Sequence, residues 1–366
     1  MRNFNPDFSA IEGPLSLNIN IEGQDYLYFS GTAYLGIPRN KSFITHYQEG
    51  LKKFGINNGT SRGNNVQLAI YNEAEGYAAQ YFGAAAALIT SSGYLAAQLL
   101  VGAYAGRSLI YAPQTHPALW LNEAPQTEGS FAEWATKTAD HINSSKQEKW
   151  VLISNALNNL FPERYDFSFL NNIQPEKELV LIVDDSHGIG LLDNGRGVFN
   201  TLPALPNVEV IVVASMAKAL GVDAGIVLGS TGVISMLKGS NTFLGASPPA
   251  AAGLYAFMQA AGIYREELEK LQELMHYFSG KIDPQDWTFM PNYPVYFSHD
   301  PDRYVKLLKQ QVLISSFPYP DHKGLPLNRV VLSSWATKAS IDRLLRALSA
   351  TAFQKGYPAD RNAASL

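Results

Sequence analysis

The chain has 366 residues, no cysteine and a formal charge of −4, with 16% of its residues charged. The absence of cysteine excludes disulfide frameworks, thiolate metal sites and cysteine nucleophiles, and the slightly acidic balance carries no electrostatic footprint for nucleic acid. A hydrophobic content of 46% fills a sizeable core, so the length reads as a large domain plus a smaller one.

The opening MRNFNPDFSA lacks the apolar stretch of a secretory leader, and residues 1–40 read as an N-terminal arm. Two uncharged stretches, Gly76–Gly106 and Gly239–Tyr264, are broken by Gln80, Ser91, Ser92 and Gln98 and by Ser240, Asn241, Pro248 and Pro249. A spanning helix needs apolar residues throughout, so both read as buried strand and helix. A cytoplasmic protein with no membrane contact is the expectation.

Residues 41–270 alternate strand and helix patterns. Strand-length apolar runs stand at Ala86–Thr90, Ser108–Ala112, Trp150–Ser154, Leu179–Val183 and Val208–Ala214, without the alternation of a half-exposed strand. Helical patterns lie between them at Tyr94–Tyr104 and from Phe167–Leu170 onward. This predicts an α/β domain with a mostly parallel central sheet flanked by helices. Residues 271–353 differ: apolar strands are predicted at Pro294–Ser298, Val312–Ser315 and Arg329–Ser333, followed by a helix at Ser340–Leu348. They read as a small α+β C-terminal domain, with a polar tail at 354–366.

Several short patterns match known motifs without the context those motifs need. Gly59-Thr60-Ser61-Arg62-Gly63 fits the nucleophile elbow, but loop-like Phe54–Asn58 precedes it instead of a buried strand. Gly188-Ile189-Gly190 lacks the last glycine of a dinucleotide fingerprint and stands four polar residues beyond its strand. The seven histidines show no metal-binding spacing, so no metal is expected.

Ser215-Met216-Ala217-Lys218 supports two chemistries. As S-x-x-K it offers an acyl-accepting serine, although the companion S-D-N and K-T-G elements are absent. As a lysine just past a buried strand, among uncharged neighbours, Lys218 offers a Schiff-base amine whose pKa burial would lower. A second polar island favours the amine. The apolar run Leu179–Val183 ends abruptly at Asp184-Asp185-Ser186-His187, and ligands of open α/β sheets sit beyond the carboxyl ends of strands. An acid there can pair with a protonated ring nitrogen, as in pyridoxal 5′-phosphate (PLP) enzymes. Ser91-Ser92-Gly93-Tyr94, between a strand and a helix, offers amides and hydroxyls to a phosphate, or a simple helix cap. His116, just past Ser108–Ala112, is placed either to lie on an aromatic cofactor or in a surface loop.

Together these segments resemble one family. Val183–Gly190, Gly195-Arg196-Gly197 and Ser215–Gly221 are similar to elements of the α-oxoamine synthases, fold-type I PLP-dependent transferases. Thr32–Gly36, Gly59–Arg62, Ser92–Tyr94, Pro248-Pro249 and Leu327-Asn328-Arg329 add to the likeness, which runs in consistent order from residue 26 to residue 350. The resemblance implies a decarboxylative condensation of glycine or alanine with an acyl-thioester, acyl-CoA or acyl-carrier protein, in a homodimer. It implies that Lys218 carries PLP, Asp184 faces the ring nitrogen, His187 the ring hydroxyl and His116 the ring face. Ser92, Gly93, Tyr94 and Ser215 would surround the phosphate, with Arg329, Thr32, Tyr34 and Asn155 on the substrate side. This chain departs from the family pattern at Thr32, Ala97, Ala118, Asn155, Ala217, Leu244 and Gly245. An aminotransferase, a carbon–carbon lyase, a serine acyl-enzyme on Ser215 and Lys218, and a non-catalytic PLP-binding protein are the competing readings.

Overall fold

The computed structural model describes residues 8–9, 11–158, 160–318 and 324–351. The opening residues 1–7, read above for a leader, and the tail from Gln354 lie outside them. Twelve strands form two sheets among the described residues. The first takes the order β3 (Ala86–Thr90), β8 (Gly225–Gly229), β7 (Val208–Ser215), β6 (Glu178–Asp184), β5 (Lys149–Asn155), β4 (Leu109–Tyr111). The pairs β4–β5, β5–β6 and β6–β7 are parallel, whereas β8 is antiparallel to both its neighbours.

Alternate residues of these strands serve different cores. Val151, Ile153, Val180 and Ile182 join one buried cluster; Leu152, Leu181 and Val183 join the other. A sheet buried on both faces erases the two-residue alternation, which is why its strands read as continuous apolar runs. The helix Gly93–Ala103 packs on one of these faces.

The sequence reading is corrected at three places. β8 carries no strong strand signal, being five residues with a glycine at each end. The segment from Phe167 forms only a six-residue 3-10 helix, Phe167–Asn172, opened by Asp166 accepting from Ser168 N; Pro175 follows it closely. Residues 18–29 are not a separate arm. They form β1 (Asn18–Ile21) and β2 (Gln24–Phe29), which enter the second sheet in the order β1-β2-β11-β12-β10-β9. There β2 runs parallel to β11 (Val312–Pro318), and β12 (Pro326–Val331), β10 (Val295–Ser298) and β9 (Trp287–Thr288) complete it. The long helix Ala261–Ser279 spans the expected boundary at residue 270.

Candidate active site at the strand ends

Three adjacent parallel strands end side by side and deliver the polar groups. Asn155 pairs in register with Asp184, and Ser186, just beyond β6, accepts from Ser215 N through its Oγ at 2.8 Å. Asp184 Oδ1 accepts from Ser186 N at 2.8 Å, fixing the carboxylate at the mouth of the sheet. Its neighbour Asp185 turns inward and is 1% exposed. Asp185 Oδ2 accepts from Val198 N at 2.8 Å, and its carboxyl fills the space that a side chain at Gly188 or Gly197 would need. Burial pushes the Asp185 pKa up to about 8.

Lys218 stands in the loop that reverses the chain from β7 into antiparallel β8. Met216 N donates to Ala224 O at 2.9 Å and Val222 N to Met216 O at 3.1 Å, closing that loop. Gly221 adopts φ 65° there, and a Cβ would collide with Ile37. The buried neighbours Met216, Ala219 and Leu220 anchor the loop, so only the lysine stem reaches the site. Lys218 Nζ lies 2.9 Å from His187 Nε2. Burial lowers the Lys218 pKa, with the Asp184 charge working against that fall. His187 is held well below the ordinary imidazole value by burial and then by the charges of Lys218, Arg329 and His116, so it is neutral. Its Nδ1 meets the Tyr34 hydroxyl at 2.8 Å.

Ser92 Oγ accepts from Leu95 N at 3.1 Å and caps the helix Gly93–Ala103. Gly93 allows that helix to abut β7: a Cβ there would lie 2.6 Å from Ser215 Cβ and 2.7 Å from its Cα. Gly225 lets β8 approach the Ser92 carbonyl in the same way. The helix N-terminus, Ser215 and Lys218 are thus drawn to one end of the sheet. Tyr94 is 61% exposed and contributes an outward ring.

His116 Nδ1 accepts from Ala118 N at 3.1 Å, so the proton of its neutral ring sits on Nε2. His116 stands on the loop after β4, and its pKa is lowered by partial burial of the ring, with the Asp184 charge pulling it up and Lys218 pushing it down. Asn155 fixes this loop. Its Oδ1 accepts from His116 N at 3.1 Å and its Nδ2 donates to Gln114 O at 2.6 Å, where Gln114 is in the left-handed region at φ 61°. The expectation that Asn155 faces substrate is therefore corrected: it is buried and its amide is committed to main chain.

Arg329 enters from the second sheet, paired with Ser315 and Phe297 across β12. Its guanidinium lies 4.7 Å above the Phe317 ring and faces the phenols of Tyr34 and Tyr293. Tyr34 N donates to Thr32 O at 2.8 Å, which turns the Thr32–Tyr34 segment into the space between the sheets. Lys218, His187, His116, Asp184, Tyr34 and Arg329 therefore converge. Tyr293 and Gly225 also belong to the site and carried no motif of their own, whereas Ser186 came with the polar island after β6. The acyl-serine reading loses its geometry, because Ser215 Oγ accepts from Ala217 N at 3.4 Å while the lysine amine contacts His187.

A poorly basic buried amine, a carboxylate on the adjacent strand end, an imidazole ring open on a loop and a helix N-terminus are the chemistry PLP requires. Residues 40–348 match the family described as "Aminotransferase class I and II". The chain belongs to that family. PLP is its cofactor. Among curated relatives, 8-amino-7-oxononanoate synthase of Nitrosomonas eutropha is 26% identical over 300 residues, covering 77% of this chain and 76% of that protein. The 8-amino-7-oxononanoate synthase 1 of Bacillus subtilis is 26% identical over 372 residues, covering 94% and 93%. A serine palmitoyltransferase from S. paucimobilis with a bound PLP–myriocin aldimine superposes with TM-score 0.79 at 16% identity, covering 93% of this chain and 91% of that one. An 8-amino-7-oxononanoate synthase from Francisella tularensis gives TM-score 0.70 at 19% identity, covering 89% and 97%. The structural likenesses establish the fold-type I architecture, and the curated relatives bear out the α-oxoamine synthase resemblance of the motifs.

Proposed function

We propose that this protein is a PLP-dependent acyltransferase that joins a small amino acid of the glycine or alanine type to an acyl-thioester, with loss of carbon dioxide. The observation that carries the reading is the convergence of Lys218 and Asp184 at neighbouring strand ends with Arg329 reaching in from the second sheet. The 8-amino-7-oxononanoate synthase relatives support the choice of reaction.

Bound PLP supplies an electron sink for negative charge at the substrate α-carbon. Lys218 is the group that holds the cofactor, since burial keeps more of its amine neutral and nucleophilic. Freed from that task, the same amine takes and returns the proton at the substrate α-carbon. Asp184 would keep a proton on the pyridine nitrogen, and His187, beside Lys218, would serve the ring hydroxyl. His116 would lie against the ring face, its loop braced by Asn155. Arg329 grips the substrate carboxylate, a bidentate task suited to a guanidinium fork. Gly93 and Ser215 admit the phosphate beside the capped helix terminus.

We place the enzyme in the cytoplasm as a homodimer, with acyl-CoA or an acyl-carrier protein as donor; among the described residues no helix is long and apolar enough to cross a membrane. Light scattering of the purified protein tests the dimer. The deciding experiment is an absorption spectrum before and after borohydride, with mapping of the reduced adduct. A visible chromophore fixed onto Lys218 supports the reading, and a protein that cannot be loaded with PLP ends it. Loaded enzyme given glycine or alanine should exchange the α-proton, then release thiol and carbon dioxide on adding acyl-CoA. Accumulation of a stable pyridoxamine form would instead assign it as an aminotransferase.

A further inference from the structure

Tyr34 joins parts of the molecule that belong to different sheets. Its backbone goes with the second: Ser334 N donates to Tyr34 O at 2.9 Å, and Ser333 Oγ donates to Ala33 O at 2.5 Å. Its phenol goes with the first, meeting His187 Nδ1 at 2.8 Å, while Nε2 of the same ring meets Lys218 Nζ at 2.9 Å. Tyr34 is 2% exposed. The Tyr293 ring lies 6.3 Å from the Tyr34 ring between centroids, and the Arg329 charge acts on both phenols.

The neutral imidazole has one donor and one acceptor, so its two bonds must run in the same sense along the chain. A charged Lys218 has only donors. It would donate to Nε2, place the ring proton on Nδ1 and make the Tyr34 oxygen an acceptor. A neutral Lys218 amine accepts from Nε2–H, and Tyr34 then donates to Nδ1. The phenol is thereby coupled across the ring to the charge on the nitrogen at Lys218, and it also stands beside the arginine of the other sheet.

We propose that Tyr34 is a positioning residue that fixes the orientation and tautomer of His187 and so couples the Arg329 end of the site to Lys218. The proposal rests on the roles assigned to Lys218 and Arg329 above. A purely structural tyrosine would fill space, and phenylalanine fills the same space. The charged and titratable groups around His187 are Lys218, Arg329 and His116, with Asp184 acting on Lys218 and His116. All of them survive in Tyr34→Phe, which removes only the hydroxyl.

The test compares wild type and Tyr34→Phe, each loaded with PLP and labelled with nitrogen-15 histidine. Cofactor absorbance is titrated against pH with and without saturating propionate, a carboxylate that lacks an amine, and the His187 ring nitrogens are read by NMR. Wild type should show one tautomer and an absorbance midpoint that propionate moves. Tyr34→Phe should retain PLP, show a tautomer mixture and move the midpoint by about half a pH unit to one unit, the worth of one hydrogen bond. Its response to propionate should fall to roughly half or less, because the link that carries it is gone. A variant with the wild-type tautomer, midpoint and propionate response overturns the proposal. Should Tyr34→Phe fail to fold, Tyr293→Phe replaces it, with a smaller shift expected and an unchanged titration counting against the coupling. Should borohydride fix no PLP on Lys218 in wild type, the functional reading fails separately, and the tautomer comparison on cofactor-free protein still decides whether Tyr34 orients His187.

Discussion

The two sheets contribute to the site in different ways. The first presents three strand ends locked by short local bonds: Ser186 to Ser215, Asp184 to Ser186, and Lys218 in a tight turn between β7 and β8. The second presents one long side chain, Arg329, from mid-strand, with aromatic rings around it. A cofactor that stays for many turnovers suits a rigid, prebuilt cradle, whereas a substrate that comes and goes suits a single charged anchor on a separate element. On this view, substitutions at the first sheet should disturb PLP, and substitutions at the second should disturb amino-acid binding alone.

The largest break is Lys218→Ala, which should abolish the borohydride-fixed chromophore entirely while leaving the fold intact by circular dichroism. Gly93→Ala should follow, since its new Cβ would lie 2.6 Å from Ser215 Cβ. Overpacking of this kind costs about 1–3 kcal/mol, to be read as a lowered melting temperature together with weakened PLP retention. Arg329→Ala sharpens the comparison from the other side. It should weaken binding of donor amino acids by about 30-fold, the worth of roughly 2 kcal/mol in charge-assisted hydrogen bonds, with cofactor colour unchanged. Wild-type amino-acid affinity in that variant would remove the carboxylate assignment.

The last prediction concerns pH. Asp185 binds its proton up to about 8 in the folded protein but ordinarily releases it near 3.8. Between those values the native state holds the extra proton, so this group's contribution favours folding less and less as pH rises through the window, and levels off above about 8. Asp185→Asn should remove a slope of at most about 1.4 kcal/mol per pH unit. Denaturant unfolding of both proteins across that range checks it, and parallel curves would place the Asp185 proton elsewhere.

Legibility in the sequence followed burial. The three long strands β5, β6 and β7 read clearly because they are apolar on both faces, and the polar residues that end them stood out by contrast. Lys218, Asp184, His187 and His116 came from that contrast together with motif order. β8 was missed because two of its five residues are glycines, of which Gly225 serves the close approach to Ser92 and not strand propensity. β2 was missed as a sheet member because its partner β11 lies at the far end of the chain, and β1 joins the sheet only through β2. Asn155 was read as a substrate residue from its place in the motif. What it does is set by two main-chain atoms of another loop, which no local pattern reveals. Tyr293 and the bond from Tyr34 to His187 are invisible for the same reason.

The parallel pairing of β2 with β11, Leu27 beside Val312, also orders events in time. As the chain is synthesised, every strand of the first sheet is available once residue 229 has emerged. The second sheet is complete only at residue 331, and β2 has only β1 beside it until β11 emerges at residues 312–318. Contacts so distant in sequence form slowly. A nascent chain can therefore assemble the lysine's surroundings well before the arginine's, and a fragment ending after β8 would hold the groups for the cofactor without the anchor for substrate.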